Sequence, residues 1–337
     1  MKIAQVDFQN DYGDPKRGVN QHGVYGFFNS FKKLGHDVDF FAYDSYLSKD
    51  RKADLQRDLI EFVISRKPEL TLIGLFQDQF ELETLTTLKG LTRTVCWMGD
   101  DTWRFEGYSK QYAPYFSEVI TTDHYAVSKY KKLGIESVYL SQWAAMDVPG
   151  QELPRDFKPQ YEREVAFLGW GNPSRKWMIG QLEKKGIKVQ CFGHGWPNGV
   201  VSTEKMIEIF QTSKINLNLS NSISHDLRYL LSGPRAMKEF FRSSKNASQI
   251  KARNFEIPYW GGFQLSDYVP FLDKYLNIGS EIACFSNLDE AVLQIKYYLE
   301  EEEERESIRQ AGTRRARADH GYIHRLRKYL EQIPSQG

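Results

Sequence analysis

Short apolar runs alternate with helix-length amphipathic stretches along almost the whole chain. Runs at 3–8, 38–42, 70–75, 94–98, 118–122 and 138–140 predict six strands in the first half. Between them, 24–34, 52–65 and 81–89 carry apolar residues at helical spacing. A second series predicts strands at 164–168, 189–192, 215–219, 262–264 and 282–285. Leu288, Val292, Ile295 and Leu299 follow on one helical face. Strands that alternate with helices imply crossover connections and parallel sheets.

Three segments repeat one local plan. Phe31-Lys-Lys-Leu-Gly-His-Asp-Val-Asp-Phe40, Tyr130-Lys-Lys-Leu-Gly-Ile-Glu-Ser-Val-Tyr139 and Leu182-Glu-Lys-Lys-Gly-Ile-Lys-Val-Gln-Cys191 each read as a basic last helical turn, a glycine cap and a strand. Glycine takes the left-handed cap at little steric cost, and lysines suit the negative end of the helix dipole. The two strand series are separated by 147–159, which holds three prolines and little periodicity and reads as a linker. The polar stretch 220–249 reads as a helical insertion, Glu300 to Glu304 as a solvated helix edge, and 313–330 as a basic terminal helix.

A chain of 337 residues, 41% hydrophobic and 26% charged, is long enough for two globular cores. The formal charge of +1 supplies no overall drive toward nucleic acid or an acidic membrane. Cys96, Cys191 and Cys284 are odd in number and set among apolar residues, so they read as reduced core positions. The chain runs from its first residues straight into a strand, which argues against a signal peptide, and no stretch approaches the roughly 20 apolar residues of a spanning helix. A cytoplasmic protein, at most peripheral to a membrane, is expected.

Candidate chemistry in the first half lies after strands. The loop Asp14-Pro-Lys-Arg-Gly-Val-Asn-Gln-His-Gly23 follows the first strand, where doubly wound sheets bind ligands. It is not Gly-x-Gly-x-x-Gly, which weakens a dehydrogenase reading. Gly18 and His22 line either an acceptor-facing cleft or a plain surface loop. Asp100 and Asp101 follow the fourth strand in Trp97-Met-Gly-Asp-Asp101. They suit a general base or the orientation of a hydroxyl, or else a helix cap and a solvent contact. His124, at another strand end, is a further cleft candidate or a structural histidine.

In the second half, Phe167-Leu-Gly-Trp-Gly-Asn-Pro-Ser-Arg-Lys176 places Gly169 and Gly171 after a strand, then Arg175 and Lys176 in the first helical turn. Cations are unfavourable there unless an anion is bound, so this local conflict points to a diphosphate. Cys191-Phe-Gly-His-Gly-Trp196 brings Gly193 and Trp196 to the next strand end. Between Gln249 and Asp267, Lys251, Arg253 and Glu256 precede a Gly-Gly turn. These charges suit either a clamp for a phosphorylated ligand or a buried Arg253–Glu256 pair.

Taken together, Phe-Leu-Gly…Arg175, Phe-Gly-x-Gly-Trp196, the strand Lys214-Ile-Asn-Leu-Asn and Arg253-Asn-Phe-Glu256 resemble the nucleotide-sugar half of GT-B glycosyltransferases, group 1, and most nearly the spore-maturation CgeB-like branch. The resemblance spans roughly 164–329. It implies an α/β GT-B fold of two Rossmann-like domains with parallel sheets facing across a cleft. Residues 1–148 would form the acceptor domain, 149–160 the linker and 161–312 the donor domain. Residues 313–333 would be a helix returning to the first domain. By the same resemblance, Glu256 would take ribose hydroxyls while Arg175, Lys176 and Arg253 take the diphosphate. Gly169, Gly171, Gly193 and Trp196 would complete the donor site, leaving Asp100, Asp101 and His22 as catalytic candidates.

No metal or other cofactor is expected, and the partners implied are a nucleoside-diphosphate sugar and a glycan, lipid-linked or other hydroxyl acceptor. A nucleic acid acceptor at the basic terminal helix is a minor alternative. One departure stands out. Where the group carries a first glutamate eight positions before the second, this chain has Ser248. The competing functions are a sugar-nucleotide epimerase of the same fold and a non-catalytic binding protein.

Overall fold

The structure, a computed structural model, describes residues 1–47, 49–221, 224–243, 245 and 247–333. Its contacts divide the chain into two units: residues 1–149 with 322–337, and residues 150–321. The first unit holds β1 (Lys2–Asp7), β2 (Asp37–Ala42), β3 (Leu70–Ile73), β4 (Arg93–Met98), β5 (Glu118–Thr121) and β6 (Val138–Leu140). They form one sheet in the order β2-β1-β3-β4-β5-β6, parallel throughout. Helices cover it, so central strands read as unbroken apolar runs; all of Leu70–Ile73 is buried. Val6, Ile73, Cys96 and Val119 meet Leu59, Val63 and Leu88 in the core.

The second unit holds β7 (Arg163–Leu168), β8 (Gln190–Phe192), β9 (Ser213–Asn218), β10 (Gln264–Asp267) and β11 (Ala283–Phe285). Its order is β11-β10-β9-β7-β8, again all parallel. Counted from each unit's own first strand, the two sheets share the order 2-1-3-4-5. Each reverses direction between its first and third strands, the place where open α/β sheets bind ligands. Phe167, Ile215, Leu217, Phe263 and Leu265 pack with Leu288, Ile295 and Ile308 in the second core. Cys96 and Cys191 are buried and Cys284 is half-buried, all as free thiols.

Two elements differ from expectation, the strand after Gly-Gly and the basic end. The strand expected at 262–264 lies at Gln264–Asp267. Gly261 ends the preceding helix with φ +86°, and Gly262 still donates to Ile257 O. The stretch 220–249 is a helical insertion as expected, with helices Leu227–Leu230 and Pro234–Arg242; residues 222, 223, 244 and 246 lie outside the described residues. The basic end is not one helix. Glu302–Asp319 belongs to the second unit and Tyr322–Gln332 to the first. The break is held by His320, whose Nε2 meets Tyr275 O at 2.7 Å, and by Tyr322, whose N–H donates to Ala145 O.

Candidate functional site

Each reversal point opens into a cavity. The first, about 270 Å³, lies at the carboxyl ends of β1, β3 and β4. His22 and Asp100 both line it, joined by Asp7, Asn20, Arg104 and the rings of Tyr12, Trp97 and Trp143. His22 sits in an unusual stretch, Gln21–Phe28, where the backbone winds as a π-helix. Such widened turns are rare and favour functional positions. Its Nδ1 is 3.0 Å from the Tyr322 hydroxyl, and its ring is 5.2 Å from that of Trp143. The terminal helix thus fixes one wall of this cavity.

Asp7 is the site's strongest candidate, and nothing in the motif reading singled it out. It ends β1, and its Oδ1 accepts from Phe8 N at 2.7 Å and from Asn20 Nδ2 at 3.2 Å. Burial raises its carboxyl to about 7, against the opposing effect of those hydrogen bonds. Two glycines make room for it. A Cβ at Gly74 would lie 2.8 Å from Oδ1, and one at Gly23 would lie 2.6 Å from Oδ2. A carboxylate ending an apolar strand at a ligand-binding sheet edge was the available signal.

The paired acids separate. Asp100 faces the cavity and makes no side-chain cap. Asp101 is 1% exposed. Its Oδ2 accepts from Thr121 Oγ1 at 2.6 Å and Tyr130 Oη at 2.9 Å. Burial raises it to about 6, but it points into the core of the unit, away from the cavity lining. Neither the catalytic nor the capping expectation describes Asp101. Gly18 is an exposed turn residue whose carbonyl accepts from Asp11 N, and it lines neither cavity. His124 lines neither as well.

The second cavity, about 400 Å³, lies at the ends of β9, β10 and β11 and the start of helix Pro173–Lys184. Arg175 reaches into it beside Asp267, His225, Asp226 and Ser248. Asn172 caps the helix by accepting from Arg175 N at 2.9 Å. The Arg175 guanidinium then donates to Trp170 O and Leu219 O, while its buried Nε–H has no protein partner. Asp267 shapes the receiving loop by accepting from Ser220 N at 2.8 Å and Asn221 N at 3.1 Å. Burial pushes Arg175 down to about 10; Asp267 opposes that shift and the Arg253 charge adds to it. The cavity thus brings one buried guanidinium, Arg175, together with the carboxylates of Asp226 and Asp267.

Arg253 opens the helix Arg253–Tyr259 and pairs with Glu256 at 2.8 Å; Glu256 is 3% exposed. The buried-pair geometry is therefore present, and Glu256 does not line the cavity. Asn254, between them, donates to Ser266 Oγ at 3.1 Å, as does Asn218 Nδ2. This buried polar network ties the charged helix to the strand ends, so Asn218 in the Ile-Asn-Leu-Asn strand holds structure.

Gly169, Gly171, Gly193 and Trp196 form a separate arrangement, loop packed on loop. Gly169 N donates to Phe192 O at 2.9 Å, Gly171 N to His194 O at 2.8 Å, and Trp196 Nε1 to Gly169 O at 3.0 Å. Gly193 has φ +115°, and a Cβ there would fall 2.5 Å from Gly169 O. Lys176 extends over the Trp196 ring, 5.8 Å from its centre. Of the expected donor residues, only Arg175 lines the cavity; the two loops flank its strand ends.

Among the described residues, no group of three or more His, Cys, Asp or Glu could hold a metal ion. No helix among them is long and apolar enough to cross a membrane.

Comparison with known proteins adds to this geometry. Residues 174–331, a little under half of the chain, match the model of a family described as glycosyl transferase-like. No curated protein matches the sequence. The chain is similar in structure to HepE from Anabaena, solved with UDP and glucose: TM-score 0.60 and 12% identity, over 99% of this chain and 100% of that one. It is similar to sucrose-phosphate synthase from Thermosynechococcus elongatus, with TM-score 0.60 and 10% identity over 98% of each chain. It also resembles a candidate UDP-N-acetylglucosamine 2-epimerase from Listeria monocytogenes, with TM-score 0.57 and 9% identity over 99% and 97% of the two chains. At such identities the likeness is one of fold, and with two all-parallel α/β units of matching strand order, the chain adopts the GT-B fold.

Proposed function

We propose that this protein is a glycosyltransferase of the group 1, CgeB-like type that takes its sugar from a nucleoside diphosphate held by residues 150–321. The observation that carries the reading is Arg175, which lines the second cavity from the start of its helix inside the family-matched segment and keeps a buried Nε–H without a protein partner. An unused, buried guanidinium N–H is costly unless a ligand takes it, and a diphosphate is the best-matched taker. Glu256 orients Arg253 and, with the donor bound, reaches a ribose hydroxyl. Lys176 and the Gly169–Trp196 loop pair border the diphosphate.

In transfer, the bond from the sugar's C1 to the diphosphate oxygen breaks, and its electron pair leaves with the phosphate. The guanidiniums stabilise that charge where it develops. The acceptor oxygen bonds to C1 and gives up its proton. Asp7, with a carboxyl near neutrality, takes that proton, while Asp100 and His22 orient the acceptor. The acceptor is a hydroxyl of a glycan, a lipid-linked sugar or another biopolymer. The reaction needs no metal, and the protein works in the cytoplasm.

Release of nucleoside diphosphate from a nucleotide-sugar panel, with and without an oligosaccharide acceptor mixture, tests the reading. Release that depends on acceptor supports transfer. Interconversion of the donor sugar without acceptor would make it an epimerase. Binding without either reaction would make it a binding protein.

A further inference from the structure

The segment 224–248 leaves and re-enters the wall of the second cavity, with His225 and Asp226 at one end and Ser248 at the other. It is anchored from within. Arg228 pairs with Asp226 at 2.7 Å and with Asp289 at 3.0 Å, and the Tyr229 hydroxyl donates to Glu239 Oε2 at 2.9 Å. Tyr229 also packs on Trp177, and Ala236 is buried. A well-anchored element has no need to leave apolar side chains in water, yet this one does. Leu227 is 72% exposed, Leu231 82% and Phe241 77%, with Met237 at 49%. On the helix Pro234–Arg242, Met237 and Phe241 are one turn apart and share a face.

Cations lie close in sequence to these side chains and, on the helix Pro234–Arg242, along one side of the Met237–Phe241 face. Arg235, Lys238, Arg242 and Lys245 stand in 234–245 against one acid, Glu239, which is turned toward Tyr229 and Arg235. The whole chain carries only +1, so this is a local charge asymmetry and not a property of the protein at large. Apolar tips flanked by lysine and arginine are the pattern of a helix that lies in a membrane interface beside anionic headgroups. A protein-docking patch would more often carry its apolar centre without a row of cations beside it.

We propose that Leu227, Leu231, Met237 and Phe241, with Arg235, Lys238 and Arg242, form a face that docks on an anionic lipid bilayer. The apolar side chains enter the interface and the cations meet the headgroups. This attachment is peripheral and independent of the sugar-transfer reading.

Co-sedimentation of the full chain with phosphatidylcholine–phosphatidylglycerol vesicles tests it. Binding is expected at low salt, weakening as salt rises and falling sharply on pure phosphatidylcholine. Leu231→Asp with Phe241→Asp should lower binding by at least about tenfold, since two large apolar side chains no longer leave water. Arg235→Glu with Lys238→Glu and Arg242→Glu should abolish the preference for the anionic lipid. Both variants should melt with the wild type, because the altered side chains are exposed. Three results would overturn the proposal: no wild-type binding to mixed vesicles, binding unchanged in the variants, or a wild-type oligomer that Phe241→Asp dissolves, which would assign the face to a second copy.

Discussion

Both cavities open at the carboxyl ends of sheets with one strand order, the first over the ends of β1, β3 and β4 and the second over those of β9, β10 and β11, and they are lined differently. At the reversal of the first sheet stand Asp7, Asp100 and His22 among aromatic rings. At the reversal of the second stands Arg175, with Arg253 near enough to shift it. The topology makes both openings, because strand ends diverge wherever connections turn in opposite directions. The side chains differ: the first lining is rich in aromatic rings with Asp7 and Asp100, and the second sets the Arg175 guanidinium beside Asp226 and Asp267. One backbone plan thus carries two differently lined cavities, which the proposed transfer would use for its two substrates.

The sharpest way to break this division is at Asp7. Asp7→Asn should lower turnover by about 100- to 10,000-fold, the usual worth of a general base, with donor affinity intact. Unchanged turnover would leave Asp7 a buried structural acid. Asp100→Asn should have a smaller effect on turnover, on the order of tenfold, for the loss of one charge-assisted contact to the acceptor.

Glu256→Gln comes next. It should weaken nucleoside diphosphate binding by about 1.5–3 kcal/mol, the typical worth of a hydrogen bond to a charged group, while the fold persists. If the variant unfolds and its surviving fraction binds normally, Glu256 serves only as the buried partner of Arg253.

A smaller effect separates the cavities by pH. Burial raises the Asp7 carboxyl from 3.8 to about 7. Between those values the folded protein holds a proton that the unfolded chain gives up, so this group makes stability fall as pH rises through the window. The melting temperature of Asp7→Asn, compared with wild type, should therefore improve from about pH 4 to about pH 8. A difference independent of pH would mean that Asp7 titrates alike in both states. Smallest of all, EDTA should leave turnover unchanged; loss restored by Mn²⁺ or Mg²⁺ would bring metal chemistry into the site.

Much of the fold was legible because apolar runs bounded by turns are nearly diagnostic in parallel sheets. All eleven strands among the described residues were foreseen, and only the one after Gly-Gly was misplaced, since Gly262 still bonds back to the helix. The break at His320 was hidden, because a contact between His320 and Tyr275 leaves no periodic trace. At the site, Arg175 was legible through a local rule it breaks, a cation in a first helical turn. Asp7 was not, since its significance comes from Gly23, Gly74 and Asn20, brought from distant parts of the chain. Asp101 misled for the opposite reason: adjacency to Asp100 says nothing about which side of the backbone each carboxyl takes.

Calorimetric titration of a nucleoside diphosphate into wild type, Arg175→Lys and Asp7→Asn tests the division of labour most directly. Lysine keeps the charge but loses the planar fork that meets two carbonyls and leaves its Nε–H for the proposed diphosphate. The account predicts that Arg175→Lys weakens binding by about 1.5–3 kcal/mol and that Asp7→Asn binds as wild type does. Normal binding by Arg175→Lys, with binding lost in Asp7→Asn, would place the nucleotide in the first cavity and contradict the account.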